Sequence, residues 1–132
     1  MIGLDTNIIL RAVLNDDATQ SPLAQAFMKS LDEKQKGFIS LGVILEIYWV
    51  LDRRYRLSRQ EISKTFGNLT KVQWLEFESF SALVRALDRY KSQNIDFSDT
   101  LIAEHNLSKG CRSTMTFDKP ATNHIPAMEL LK

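Results

Sequence analysis

The sequence predicts an α/β fold in which a mostly parallel sheet is flanked by helices. Three observations carry that expectation. Short strand-like apolar runs alternate with runs of helical period, and no two strand runs are joined by a tight hairpin signal. The chain has 132 residues, the size of one compact domain with one core, so residues 1–132 are taken as a single domain.

The elements follow in order. Residues 2 to 4 read as a short buried strand, after which Asp5, Thr6 and Asn7 offer capping side chains to a helix through Ile8, Ile9, Leu10, Val13 and Leu14. Ser21-Pro22 opens a second helix whose expected buried face is Leu23, Ala26, Phe27, Ser30 and Leu31, ending near Gly37. Phe38-Ile39-Ser40 is a second strand, and a strongly apolar helix runs from Leu41 to about Tyr55. Ser58 and Glu61 have the spacing of a capping box for the next helix. Val72 to Phe77 alternates as a strand does, and a helix carrying Phe80, Leu83, Val84, Leu87 and Tyr90 follows. A further helix begins near Ser98 and stops at Lys109-Gly110, where glycine can take the left-handed conformation. Arg112 to Phe117 reads as a strand, and the tail holds only a short possible strand near His124-Ile125.

Composition narrows the function classes. Hydrophobic residues make up 44% and charged residues 25%, ordinary for a folded soluble protein and too apolar for a disordered one. Lys plus Arg is 17 against 16 for Asp plus Glu, so any nucleic-acid contact must come from a local basic patch. One cysteine, Cys111, allows neither an internal disulfide nor a thiolate zinc site, and is expected as a small core residue. With no signal-like start and no membrane-length apolar run, a cytoplasmic location is expected.

Four acids carry the chemistry. Asp5 ends the first strand and Asp118 follows the strand ending at Phe117, where side chains converge in an open α/β sheet. Asp99 lies in the opening turn of its helix, preceded by Asp96 and Ser98. Glu46 interrupts the apolar run from Leu41 to Leu51, where an unpartnered buried carboxylate would be costly. Each has a plainer reading. Asp5 could only cap a helix, Asp99 could be the third-position partner of an Asp96 cap, Asp118 could form a turn, and Glu46 could pair with an arginine. Two carboxylates about 5 Å apart at an effective dielectric near 20 repel by roughly 3 kcal/mol, so four together need protons or a cation. Hard oxygen donors without a histidine pair favour Mg²⁺ or Mn²⁺. His105 and His124 are expected to be structural or surface histidines.

In these motifs the chain resembles the PIN-domain family, and specifically VapC-type toxin ribonucleases. The matching pieces are Leu4-Asp5-Thr6-Asn7, Glu46-Ile47 with Val50-Leu51, Asp96-Phe97-Ser98-Asp99-Thr100-Leu101-Ile102-Ala103, and Thr116-Phe117-Asp118. Thr100 and Glu104 stand where the family tends to have alanine, a departure expected to bear only on packing. The resemblance implies a three-layer α/β/α sandwich with a parallel sheet and a Mg²⁺-dependent endoribonuclease activity in which Mn²⁺ can substitute. It makes Asp5 and Asp99 direct metal ligands, and Glu46 and Asp118 ligands of a second ion or orienters of water. Thr6, Asn7, Ser98 and Thr116 would support them by hydrogen bonds, with Asp96 as an additional acid.

Metal-activated water would then hydrolyse the phosphodiester, and the resemblance implies that cleavage leaves a 5′-phosphate and a 3′-hydroxyl. Arg53, Arg54, Arg56 and Arg59 either hold RNA phosphates or form a solvated basic corner. Competing readings are a metal-dependent phosphatase, a DNA nuclease, and a catalytically silent RNA- or protein-binding module. A phosphatase is disfavoured by the missing Asp-x-Asp pair, and a silent module by retention of all four acids. As partners, the resemblance implies an RNA substrate, a homodimer and a cognate antitoxin. An apolar set comprising Ile8, Ile9, Leu14, Tyr48, Trp49 and Tyr55 is expected to be partly exposed, where an antitoxin helix could lie against the first helix and residues 41–71.

Overall fold

The structure is a computed structural model describing all of residues 1–132. The chain divides into two compact units, Met1–Glu78 and Ser79–Lys132.

The first unit holds β1 (Ile2–Gly3), α1 (Thr6–Leu14), α2 (Gln20–Ser30), β2 (Gly37–Ile39), α3 (Leu41–Trp49), a π-helical turn (Val50–Arg54), α4 (Arg59–Thr70) and β3 (Leu75–Phe77). Its sheet has the order β1-β2-β3, with both pairings parallel and Ile2 and Leu75 each opposite Gly37. Gly37 leaves room there for three leucine side chains. A Cβ at that position would lie 2.9 Å from Leu4 Cδ1 and 3.0 Å from side-chain carbons of Leu31 and Leu75, inside van der Waals contact. Ile9, Ile39, Ile47, Leu51, Ile62 and Phe66 are fully buried in this unit.

Three features differ from the sequence expectation here. Helix α2 ends at Ser30, because Asp32 accepts from the backbone N–H groups of Lys34 and Gln35 and turns the chain well before Gly37. Its buried positions are Ser21 and Ala24, while Leu23 is 68% exposed. Small residues let α2 approach α1, and that close packing sets the rotation of the helix over the pull of the larger Leu23. The third helix is α-helical only to Trp49. It then widens, the Tyr55 N–H bonding to the Val50 carbonyl five residues back. The strand expected from Val72 begins only at Leu75, after Trp74 takes a left-handed φ of 71°. The capping box of α4 forms as expected, with Ser58 accepting from the Glu61 N–H and Glu61 from the Ser58 N–H.

The second unit holds α5 (Phe80–Ser92), α6 (Phe97–Ser108), β4 (Thr114–Thr116), α7 (Lys119–His124) and β5 (Met128–Leu130). Helices α5 and α6 pack together, with Tyr90 and Phe97 edge to face at 5.6 Å. Strands β4 and β5 pair in parallel, Thr114 opposite Met128. Ala103, Ala121, Ile125 and Met128 form a small apolar cluster beneath them. The tail therefore contains a helix and a later strand, where only a strand near His124-Ile125 was expected. Asp118 caps that helix, and the proline of Lys119-Pro120 falls in its first turn, where no N–H is needed. Gly110 closes α6 at φ 95°, as the sequence suggested. Cys111 is exposed just beyond it, not a core residue.

Candidate active site

In the first unit, β1 delivers Asp5 to the mouth of α1 in an extended conformation, and its carbonyl accepts the N–H groups of Ile8 and Ile9. The exposed carboxylate makes no capping hydrogen bond, so the plain capping reading does not account for it. The next residue, Thr6, is buried, and its hydroxyl donates to Glu46 Oε2 at 2.9 Å. That bond ties the start of α1 to α3 and orients the glutamate. Asn7 is exposed and lines a groove of about 380 Å³ with Ile8, Arg11 and Phe27.

Glu46 corrects one expectation. The buried stripe of this segment is Ile44, Ile47 and Leu51, spaced three and four apart, and Glu46 faces outward beside Leu45, Trp49 and Val50. No burial cost forces a partner on it, and its hydrogen-bond partner is the Thr6 hydroxyl rather than an arginine.

In the second unit, Asp96 caps α6 by accepting the Asp99 backbone N–H at 2.8 Å. The bond uses the main chain of Asp99 and leaves its carboxylate available. That carboxylate is half-buried, and its pKa is raised first by desolvation, then by the charges of Asp96 and Asp118. Asp118 comes next to Asp99 electrostatically although 19 residues separate them in sequence, the strand β4 and its following turn making the return. One carboxylate oxygen of Asp118 accepts from the Ala121 N–H, and its own N–H donates to Thr116 Oγ1 at 3.0 Å. Asp118 is thus a cap and turn former as well as a neighbour of Asp99. Ser98 is half-buried beside Asp99.

Neither unit on its own assembles three or more acidic, histidine or cysteine side chains into a group that could hold a metal ion. The donors themselves suit a hard divalent cation. All are carboxylate oxygens, and Asp99 carries charge repulsion that a cation would relieve.

The histidines behave as expected, His105 Nδ1 sharing a short hydrogen bond with Ser79 Oγ and His124 lying exposed at the end of α7. Arg53, Arg54, Arg56 and Arg59 are all exposed around the π-helical turn and the start of α4, with Arg56 at a left-handed φ of 52°. Sequence reasoning missed what anchors this corner. The Tyr55 hydroxyl donates to Asp16 Oδ2 at 2.7 Å, and Arg11 bonds the other oxygen at 3.2 Å, holding the Asp16 carboxyl below its usual range. Of the apolar residues expected at a surface, Ile8, Trp49 and Tyr55 are exposed, Leu14 and Tyr48 are half-buried, and Ile9 belongs to the core.

Glu104 was also underestimated. It is buried on α6, where it accepts from Arg85 Nε at 2.8 Å and lies 3.4 Å from Arg89 Nε, both on α5. Its role is ionic as well as steric.

Comparison with known proteins agrees with these motifs. The family model described as the PIN domain matches residues 2–123, running through both units, and the chain belongs to that family and has its fold. A crystal structure of Mycobacterium tuberculosis VapC20, described as a sarcin-ricin loop cleaving toxin, is similar at 21% identity over 93% of this chain and 94% of that one, with a TM-score of 0.44. No curated protein matches the chain. No helix is long and apolar enough to cross a membrane.

Proposed function

We propose that this PIN-domain protein is a metal-dependent endoribonuclease, the cytoplasmic toxin of a type II toxin–antitoxin pair of the VapC kind. The observation that carries the reading is the setting of Asp99: its half-buried carboxylate is pushed up in pKa first by desolvation, then by the charges of Asp96 at its own helix cap and of Asp118 from the turn after β4. Asp5 and Glu46 are the acids of the first unit assigned to the same work. The first has a carboxylate left free by its own helix, and the second is oriented by Thr6.

When bound, Mg²⁺ or Mn²⁺ would supply an acidified water and neutralise charge on the phosphate. The chain's own contribution is orientation. Asp96 fixes the backbone under Asp99, Thr116 fixes the backbone under Asp118, and Thr6 holds Glu46, so that little reorganisation remains for the reacting complex. The exposed arginines at 53, 54, 56 and 59 are assigned to RNA phosphates, and the exposed Ile8, Trp49 and Tyr55 to protein partners, a second copy or the antitoxin. DNA is the competing substrate, since the same acids would serve either polymer.

Sequencing of RNA 5′ ends in cells after induction tests the proposal. New 5′-phosphate ends at defined sites with the wild type, and none with Asp99→Asn, are expected. An unchanged set of ends with an abundant, folded wild-type chain would remove the ribonuclease reading.

A further inference from the structure

Glu104 gathers more guanidinium than one carboxylate can satisfy. Its side chain, 7% exposed on α6, meets Arg85 at 2.8 Å and Arg89 at 3.4 Å, each through the guanidinium Nε. Two guanidinium charges against one carboxylate leave the cluster with one positive charge in excess. A guanidinium carries about five N–H donors and a carboxylate about four acceptor sites, so more than half of the donors stay unmet. Neither arginine makes a further ion pair or side-chain hydrogen bond, and Asp88, the one acid of α5, is exposed and pairs with neither.

The unmet donors are open to water. Arg85 and Arg89 keep 47% and 35% of their side chains exposed, and their spacing of four on α5 sets them one turn, about 6 Å, apart. A surface arginine normally loses side-chain freedom when it takes a ligand. Here the buried carboxylate already holds both guanidiniums, which lowers that cost. Two fixed forks with donors to spare match an oxyanion whose oxygens are spread in three dimensions. Phosphate has that form, whereas a planar carboxylate offers only two oxygens and would duplicate Glu104. The cluster is also separate from the candidate active site, since Glu104 lies five residues beyond Asp99 and about 140° around α6 from it.

We propose that Arg85 and Arg89, positioned by Glu104, form a binding site for a phosphate group, borne either by a small molecule or by the RNA backbone. Glu104 is the positioning residue and the two guanidiniums are the ligand contacts. The site goes beyond the ribonuclease reading and does not depend on it, because it binds a phosphate without cleaving anything.

The test is calorimetric titration of the full chain with inorganic phosphate in metal-free buffer at constant ionic strength, beside acetate. Phosphate should bind saturably, and acetate about tenfold more weakly or worse. Arg85→Lys with Arg89→Lys keeps both charges against Glu104, and with them the fold, but replaces each fork by a point charge. Phosphate affinity should then fall about tenfold or more. Arg112→Lys, at an arginine elsewhere in the same unit whose side chain is 87% exposed, should leave the isotherm unchanged. A short single-stranded RNA, with Asp99→Asn to prevent turnover, identifies the source of the phosphate. If the RNA backbone fills the site, free phosphate displaces the strand and the double lysine variant binds it more weakly. If a small phosphate compound fills it, RNA affinity is unchanged while phosphate affinity still falls. Three results would overturn the proposal: no saturable phosphate binding by the folded chain, equal binding by wild type and the double lysine variant, or equal binding of phosphate and acetate. The cluster would then be a structural ion triad alone. Binding is read without turnover, so a chain that takes phosphate here and cleaves no RNA removes only the ribonuclease reading.

Discussion

The buried Glu104 allows a prediction whose sign changes with background. Its side chain is 7% exposed, while those of Arg85 and Arg89 are 47% and 35% exposed. Removing Arg85 deletes a charge-assisted hydrogen bond of about 1.5–3 kcal/mol, less the screening that a half-exposed guanidinium receives, so a loss of about 1–2 kcal/mol is expected. Arg85→Ala with Arg89→Ala strands a carboxylate in a buried site, for about 3–5 kcal/mol. Adding Glu104→Ala to that double variant removes the stranded charge and should return most of the stability. Alone, Glu104→Ala should cost only about 1 kcal/mol, because both arginines are partly exposed and can rehydrate. Urea unfolding followed by far-ultraviolet circular dichroism reads the series directly in kcal/mol from the shift of its midpoint at constant slope. A triple variant as unstable as the double one would show that the arginines act through packing and refute the ionic account.

Two further predictions concern titration. The folded-state pKa of Asp99 is raised above its ordinary 3.8, so the group favours folding below that value and opposes it as pH rises through the folded pKa. Asp99→Asn should therefore raise the Tm of the metal-free protein at neutral pH, by an amount that shrinks in acid, and should lose the further rise that Mg²⁺ or Mn²⁺ gives the wild type; a neutral-pH Tm below wild type would contradict this. Asp16 is shifted the other way, mainly by Tyr55, so its contribution is present above the unfolded pKa and lost as pH falls through the folded one. Tyr55→Phe should lower Tm at neutral pH and converge with wild type in acid, and a pH-independent gap would show that the hydroxyl acts otherwise.

Much of the fold was legible because local signals and tertiary packing agreed. The Ser58 box, the Gly110 stop and the parallel strands followed from residues whose preferences the structure uses. Helix α2 departs from its apolar pattern because that pattern weights Leu23, whereas the buried positions are the small Ser21 and Ala24. The outward face of Glu46 was readable, since it lies about 200° around the helix from Ile44, but its adjacent apolar residues drew attention to burial. For α7 the signal lies in Asp118 and Pro120, which suit a turn equally well, and a six-residue helix has too little period to announce itself. The π-helical turn and the Tyr55–Asp16 bond joining it to the segment after α1 depend on distant pairing, which no local pattern encodes. Among the site residues, sequence order named the acids, and only the structure separated what each main chain does from what each carboxylate is left to do.

The central claim is metal-dependent hydrolysis of RNA by these acids. Its most direct test is cleavage of matched RNA and DNA single strands by the purified chain in metal-controlled buffer, beside Asp5→Asn and Asp99→Asn. The account predicts RNA cleavage that appears with Mg²⁺ or Mn²⁺, stops with chelator, leaves 5′-phosphate ends and collapses in both folded variants. Full activity in either variant, or cleavage of the DNA strand alone, would contradict it.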